Sequence, residues 1–172
     1  MRTQLVPRLA MYKRALLLAL GAGLCFSALA SLKPGDALPD LTQLKLEGKL
    51  PDSLKGKVVL LDFWASWCEP CKASFPVMED LQKRFGSRGV VVIAVNVDEK
   101  AADMQEFLKK NAATFTVVRD AAQKLVAQAG INTMPSSFLI DQEGKVRFVH
   151  TGFRGDETKK KYEQEIESLL KK

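Results

Sequence analysis

The sequence predicts an α/β fold in which a central mixed β-sheet is flanked by helices, and three observations lead there. Two apolar, β-branched runs, Val58-Val59-Leu60-Leu61-Asp62-Phe63-Trp64 and residues 90–97, are continuous rather than alternating, as strands covered on both faces are. Between them, Phe75, Met78, Leu81 and Phe85 recur at helical spacing, and strand, helix, strand implies a parallel right-handed crossover. Further on, residues 136–141 and 146–151 are separated by a turn at Gln142-Glu143-Gly144, and two strands joined by so short a turn form an antiparallel hairpin.

The chain has 172 residues, enough for one ordinary domain with a sizeable core. Residues 1–30 read as a signal peptide. Lys13 and Arg14 precede an uncharged stretch from Ala15 to Ala30, and Ala28-Leu29-Ala30 has the small-x-small form of a cleavage site. Cleavage there leaves residues 31–172 as the folded domain. The uncharged stretch is slightly short for a membrane span, so an uncleaved anchor that tethers the domain to the membrane is the second reading. Leu24 before Cys25 is too bulky for a lipoprotein signal. Removing Arg2, Arg8, Lys13 and Arg14 lowers the formal net charge from +6 to +2. The basicity is therefore largely an export signal, and no nucleic-acid partner is expected.

Taken in order, Lys33-Pro34-Gly35-Asp36 is turn-like, and the apolar pieces at residues 41–46 and 49–50 around Glu47-Gly48 predict a small N-terminal β-hairpin. Asp52-Ser53 is placed to cap one helical turn before Gly56. The helix after the first core strand contains Pro76, which removes a backbone donor and predicts a kink, and Gly86 and Gly89 end it. After the second core strand, Asp98-Glu99-Lys100 leads into an inserted helix through Met104, Phe107 and Leu108. A short strand at residues 115–118 and a helix carrying Leu125, Val126 and Ala129, closed by Gly130, precede the hairpin. The last helix, with Tyr162, Ile166, Leu169 and Leu170 on one side, covers a sheet face. The order is β-α-β-α-β-α-β-β-α.

The chemistry centres on Trp67-Cys68-Glu69-Pro70-Cys71. With the helix starting at Cys68, unpaired backbone N–H groups and the helix dipole favour a thiolate there. A pair at this spacing also closes into a small disulfide ring, so the expected chemistry is thiol–disulfide exchange with Cys68 attacking and the shielded Cys71 acting second. Export removes Cys25 and leaves only this pair. So short a loop restricts the unfolded chain little, which makes it a poor structural staple. A zinc half-site is the rival reading, but with the two cysteines only His150 remains as a nitrogen ligand, and no metal is expected. His150 alternates with Phe148 and Val146 as a strand residue does. Trp64 reads as core, and Trp67 as a fence beside the cysteines.

Residues 56–71, Val95-Asn96-Val97-Asp98-Glu99, and Met134-Pro135-Ser136-Ser137-Phe138-Leu139-Ile140-Asp141 with Gly144 and Gly152 resemble the thioredoxin superfamily. Within it they resemble the exported TlpA/ResA-like branch that includes the CcmG-type reductases. The resemblance runs through essentially all of residues 31–172 and implies a thioredoxin-like fold. It implies a cis peptide bond before Pro135, which would bring the Met134 backbone beside Cys68 to pair with an extended substrate segment. Asp62 matches the buried acid of thioredoxins, and Glu99 the acid that this branch keeps near its cysteines. A carboxylate in apolar surroundings has a raised pKa and is suited to take the proton of Cys71. The lysine that thioredoxins place two residues before Asn96 is here Ala94, so Asp62 lacks that partner.

Glu69 opposes a negative charge on Cys68, and no histidine or lysine lies between the cysteines. Together with the resemblance, this favours a reductant over a strong oxidant. The expectation is a periplasmic or otherwise extracytoplasmic, monomeric enzyme with no cofactor besides the Cys68/Cys71 disulfide, kept reduced by a membrane electron donor. The resemblance implies roles such as cytochrome c maturation, with apocytochrome c or copper-site cysteines as substrates. Alternatives are a general disulfide oxidase or isomerase, and a copper-binding or delivery module using Cys68, Cys71 and Met134.

Overall fold

The structure, a computed structural model, describes residues 31–171. The signal-peptide and anchor readings of residues 1–30, Cys25 included, lie outside the described residues. The elements are β1 (Val58–Trp64), α1 (Glu69–Phe85), β2 (Val90–Asn96), α2 (Ala101–Lys110), β3 (Thr116–Arg119), α3 (Lys124–Ala129), β4 (Ser136–Ile140), β5 (Val146–Thr151) and α4 (Asp156–Leu170). They form one five-stranded sheet in the order β3-β2-β1-β4-β5. β1, β2 and β3 run parallel, while β4 is antiparallel to both β1 and β5. The expected order of elements, the mixed sheet and the inserted helix, α2, are all present.

β1 is buried along its whole length because both faces are covered. Val58, Leu60 and Trp64 face a core shared with Phe75, Met78 and Leu81 of α1 and with Tyr162, Ile166 and Leu169 of α4. Val59, Leu61 and Phe63 face a second core with Leu125 and Ala129 of α3. Alternation along the strand therefore puts Asp62 on the first face, with Trp64, toward α1 and α4. α1 passes through Pro76 as one 17-residue helix. Gly130 closes α3 in the left-handed conformation, as expected.

The N-terminal β-hairpin is a correction. Residues Leu41–Leu44 form a 3-10 turn capped by Asp40, whose carboxylate accepts from the Thr42 N–H at 3.0 Å and the Thr42 hydroxyl at 2.6 Å. Leu41 and Leu44, three apart, are both buried in the second core, and that spacing suits a 3-10 turn, not a strand of period two. Glu47 bridges antiparallel to Arg119 at the end of β3, with N···O distances of 2.9 and 2.8 Å. A Cβ on Gly48, whose φ is +117°, would stand 2.9 Å from the Val117 carbonyl oxygen. Glu47-Gly48 is thus the close cover over the exposed edge of the sheet, not the tip of a hairpin. Ser53 does cap a single turn, its hydroxyl accepting from the Lys55 N–H at 3.2 Å, and with the Lys57 N–H bonded to the Leu54 carbonyl at 3.1 Å that turn is tight and goes no further.

Candidate active site

The carboxyl end of β1 turns through residues 65–67 into α1, and Cys68 is the N-cap of that helix. Its sulfur accepts from the Cys71 N–H at 3.3 Å, one of the first-turn donors that no helical carbonyl can reach. Pro70, in the first turn, has no N–H and so leaves no donor unpaired there. Cys68 and Cys71 are joined by a disulfide. Cys68 is 6% exposed and Cys71 fully buried, which matches the expected order of an outer attacking sulfur and an inner one.

Cys68 opens onto a cleft of about 1210 Å³. Trp67, Glu69 and Pro70 line it from the start of α1, Glu99 from the β2–α2 connection, and Met134 from the loop after α3. The Met134–Pro135 bond is cis. Of the nine expected site residues, six line this cleft; Cys71, Asp62 and Pro135 lie behind it, buried. Trp67 is 66% exposed. Trp64 is core as expected, its ring packed on Phe75 and Phe107 at centroid distances of 4.5 and 5.0 Å. Phe107 is how the inserted helix α2 packs onto this core. His150 sits in β5 and pairs with Glu165 at 2.6 Å, a strand residue as read.

Glu69 is less isolated than its position in the sequence suggested. Lys72 Nζ lies 2.7 Å from its carboxylate, both groups at the surface. The pair offsets part of the acid's field at Cys68, so Glu69 disfavours the thiolate less than its charge alone would. Glu99 is exposed at the cleft rim, and its backbone carbonyl accepts from Arg119 at 3.0 Å.

Asp62 is 2% exposed. The Ser137 hydroxyl donates to its Oδ1 at 2.6 Å, and the same hydroxyl lies 2.7 Å from the Tyr162 hydroxyl. Oδ2 is buried without a partner. Burial pushes the Asp62 carboxyl up to about 7, with the Ser137 hydrogen bond pulling the other way. Burial and the neighbouring Asp62 also raise the Tyr162 phenol, so it stays protonated through the physiological range.

Sequence reasoning gave no role to Asp98, Ser137 or Tyr162's hydroxyl. Asp98 is buried and accepts from the Ser66 N–H at 3.0 and 3.2 Å and from the Asn96 amide at 2.9 Å. It thereby fixes the loop that carries Trp67 and Cys68. Asn96 and Asp98 at the end of a buried strand were a readable signal, since such acids need local donors. A tyrosine on the buried side of α4 was another, because a buried phenol takes a partner. Ser137 carried no local signal, because its meaning comes from its register opposite Asp62.

A mixed sheet with this connectivity, a disulfide at the N-terminus of the helix after its first strand and a cis proline opposite define the class: a thioredoxin-fold thiol–disulfide oxidoreductase. Comparison with known proteins narrows it. Residues 33–166 match the Redoxin family, and the chain belongs to that family. It is 39% identical over 129 residues to the thiol-disulfide oxidoreductase ResA of Bacillus subtilis, covering 74% of this chain and 72% of that protein. With ResA of Geobacillus thermodenitrificans it shares 34% over 147 residues, 84% of this chain and 82% of that protein. A Chlorobium tepidum structure described as a thiol:disulfide interchange protein DsbE superposes with a TM-score of 0.75 at 43% identity, covering 81% of this chain and 99% of that one. The exposed lipoprotein thioredoxin Etrx1 of Streptococcus pneumoniae gives 0.63 at 32% identity, over 72% of this chain and 97% of that one. The chain is a thiol–disulfide oxidoreductase of the ResA/DsbE type.

Proposed function

We propose that this enzyme works outside the cytoplasm as a reductant of disulfides in other exported proteins. The observation that carries the exchange cycle is the Cys68–Cys71 disulfide at the helix N-terminus, with only its outer sulfur facing an open cleft, and the reductant direction rests on the resemblance to the CcmG-type reductases. In the reduced enzyme the Cys68 thiolate attacks one sulfur of a substrate disulfide, and the other substrate sulfur leaves as a thiolate. Cys71 then gives its proton to Asp62 and attacks Cys68, which expels the second substrate thiolate and closes the ring. Two electrons pass to the substrate, and a membrane dithiol donor restores Cys68 and Cys71.

Asp62 suits the proton-acceptor role because its carboxyl lies near 7 and faces α1, which carries Cys71. Glu99, at the surface, contributes charge to the substrate cleft. The leader-like residues 1–30 support export, as does the likeness to an exposed lipoprotein thioredoxin. Candidate substrates are apocytochrome c and the copper-site cysteines of an oxidase assembly factor.

Trapping on Cys71→Ala in the native compartment tests the reading. Mixed disulfides should accumulate on Cys68 and identify the substrate; capture equal to a Cys68→Ala control would remove the exchange cycle. Direction is tested separately by the reduction potential, and a value at the strongly oxidising end would make the enzyme an oxidase.

A further inference from the structure

On the first face of β1, Asp62 begins a polar row that crosses three strands. Ser137 of β4 pairs opposite Asp62, and His150 of β5 pairs opposite Ser137. α4 lies over this row: the Tyr162 hydroxyl meets Ser137, the Tyr162 ring packs edge-on against His150 at 5.0 Å, and Glu165 bonds the His150 imidazole at 2.6 Å. The proton count gives the chain a direction. Ser137 has one hydroxyl hydrogen, and an ionised Asp62 can only accept, so Ser137 donates to Oδ1 and Tyr162 donates to Ser137. Oδ1 then accepts from Ser137, and Oδ2 is buried with no protein partner.

We propose that Ser137 and Tyr162 are positioning residues for Asp62, holding one carboxylate oxygen so that the other exchanges a proton with Cys71. This rests on the reading of Asp62 as the proton acceptor. No protein donor or acceptor occupies Oδ2, so the hydrogen bonds of the relay leave that oxygen available for the exchange. The relay donates two hydrogen bonds in series toward the ionised form, and the His150–Glu165 pair fixes the tyrosine ring that starts it. The titratable groups around Asp62 are Cys71 on α1, Tyr162 and Glu165 on α4, and His150 on β5; β2 and β4 carry none.

The test uses the reduced enzyme with oxidised glutathione. The first glutathione leaves as Cys68 attacks, and release of the second reports the Cys71 step, followed from pH 5 to 9. The parent should accelerate through an inflection near 7, and Asp62→Asn should lack it. Ser137→Ala should move the midpoint up by about one pH unit, with a roughly tenfold slower second release at pH 6. Tyr162→Phe should move it in the same direction by less, and Ser137→Thr, which keeps the hydroxyl, should restore the parent profile. A purely structural role would lower the midpoint of urea unfolding and leave the pH profile in place. Should Asp62→Asn lose the inflection while Ser137→Ala and Tyr162→Phe both overlay the parent, the relay is wrong and Asp62 stands as the base. If Asp62→Asn keeps the parent inflection, the base reading fails and takes the relay with it. Tyr162→Phe, which deletes one oxygen only, carries the test if Ser137→Ala does not fold.

Discussion

On one face of β1, Val59, Leu61 and Phe63 pack against Phe138, Ile140 and Leu125 in a core made of hydrocarbon. On the other, Leu60 and Trp64 are as deeply buried, but Asp62 stands between them and both cysteines, Ser137 and Tyr162 share the space. Among the described residues, the two buried side-chain atoms with no partner, Asp62 Oδ2 and Trp64 Nε1, both lie on the face that Asp62 shares with Trp64. A strand seven residues long thus separates a wholly apolar face from one that combines an apolar core with a buried carboxyl and the disulfide. Departures from a fully satisfied interior gather at functional sites, and here the two-residue period of one strand draws the boundary.

Substitutions on the two faces should therefore fail in different ways. The largest effect is expected at the cysteines: Cys68→Ala should abolish turnover of any disulfide substrate, with an unfolding midpoint close to that of the reduced parent. A stability loss equal to that of a core truncation would mean that the Cys68 side chain itself carries the fold. On the silent face, Phe63 packs edge-on against Phe138 at 5.9 Å, and Phe63→Ala should cost about 3–5 kcal/mol. Its exchange rate per folded molecule, measured with oxidised glutathione, should stay within about twofold of the parent. A selective loss of exchange there would erase the distinction between the faces.

Asp62→Asn comes next and has a sign that depends on pH. The Asp62 carboxyl is raised from 3.8 to about 7, so between these values the folded chain holds a proton that the unfolded chain has released. Folding stability is then complete below about 4 and falls as pH rises to 7, by at most about 4 kcal/mol. Asp62→Asn, which cannot ionise, should match the parent in urea unfolding at pH 4 and exceed it at pH 8. Equal stability at both pH values would show that Asp62 carries no such burden. The smallest change is expected for Glu69→Gln. Its carboxylate pairs with Lys72 at the surface, so the exchange rate should shift by less than about fivefold. A larger shift, abolished by high salt, would restore Glu69 as a determinant of the Cys68 thiolate.

Much of this was legible in the chain itself. Continuous β-branched runs gave β1 and β2, because a strand covered on both sides has no polar face to alternate. The spacing of Phe75, Met78, Leu81 and Phe85 gave α1, and Cys-x-x-Cys at its start gave the outer and inner sulfurs. The N-terminal segment was misread because apolar pieces around a glycine look alike whether they pair with each other or with something distant. Asp40 and the Arg119 bridge decided that case. Likewise the sequence was read for the charge of Glu69 at Cys68 alone, whereas Lys72, one turn along the helix, pairs with it.

The sequence by itself determined the elements, their order and the chemistry of the cysteine pair, since these depend on periodicity and on residues a helical turn apart. Only the tertiary structure decided how the buried acid is held. Ser137 meets Asp62 from 75 residues away and Tyr162 meets Ser137 from 25. Strand register and helix packing make those contacts, and no local pattern encodes which hydroxyl will face which carboxylate oxygen.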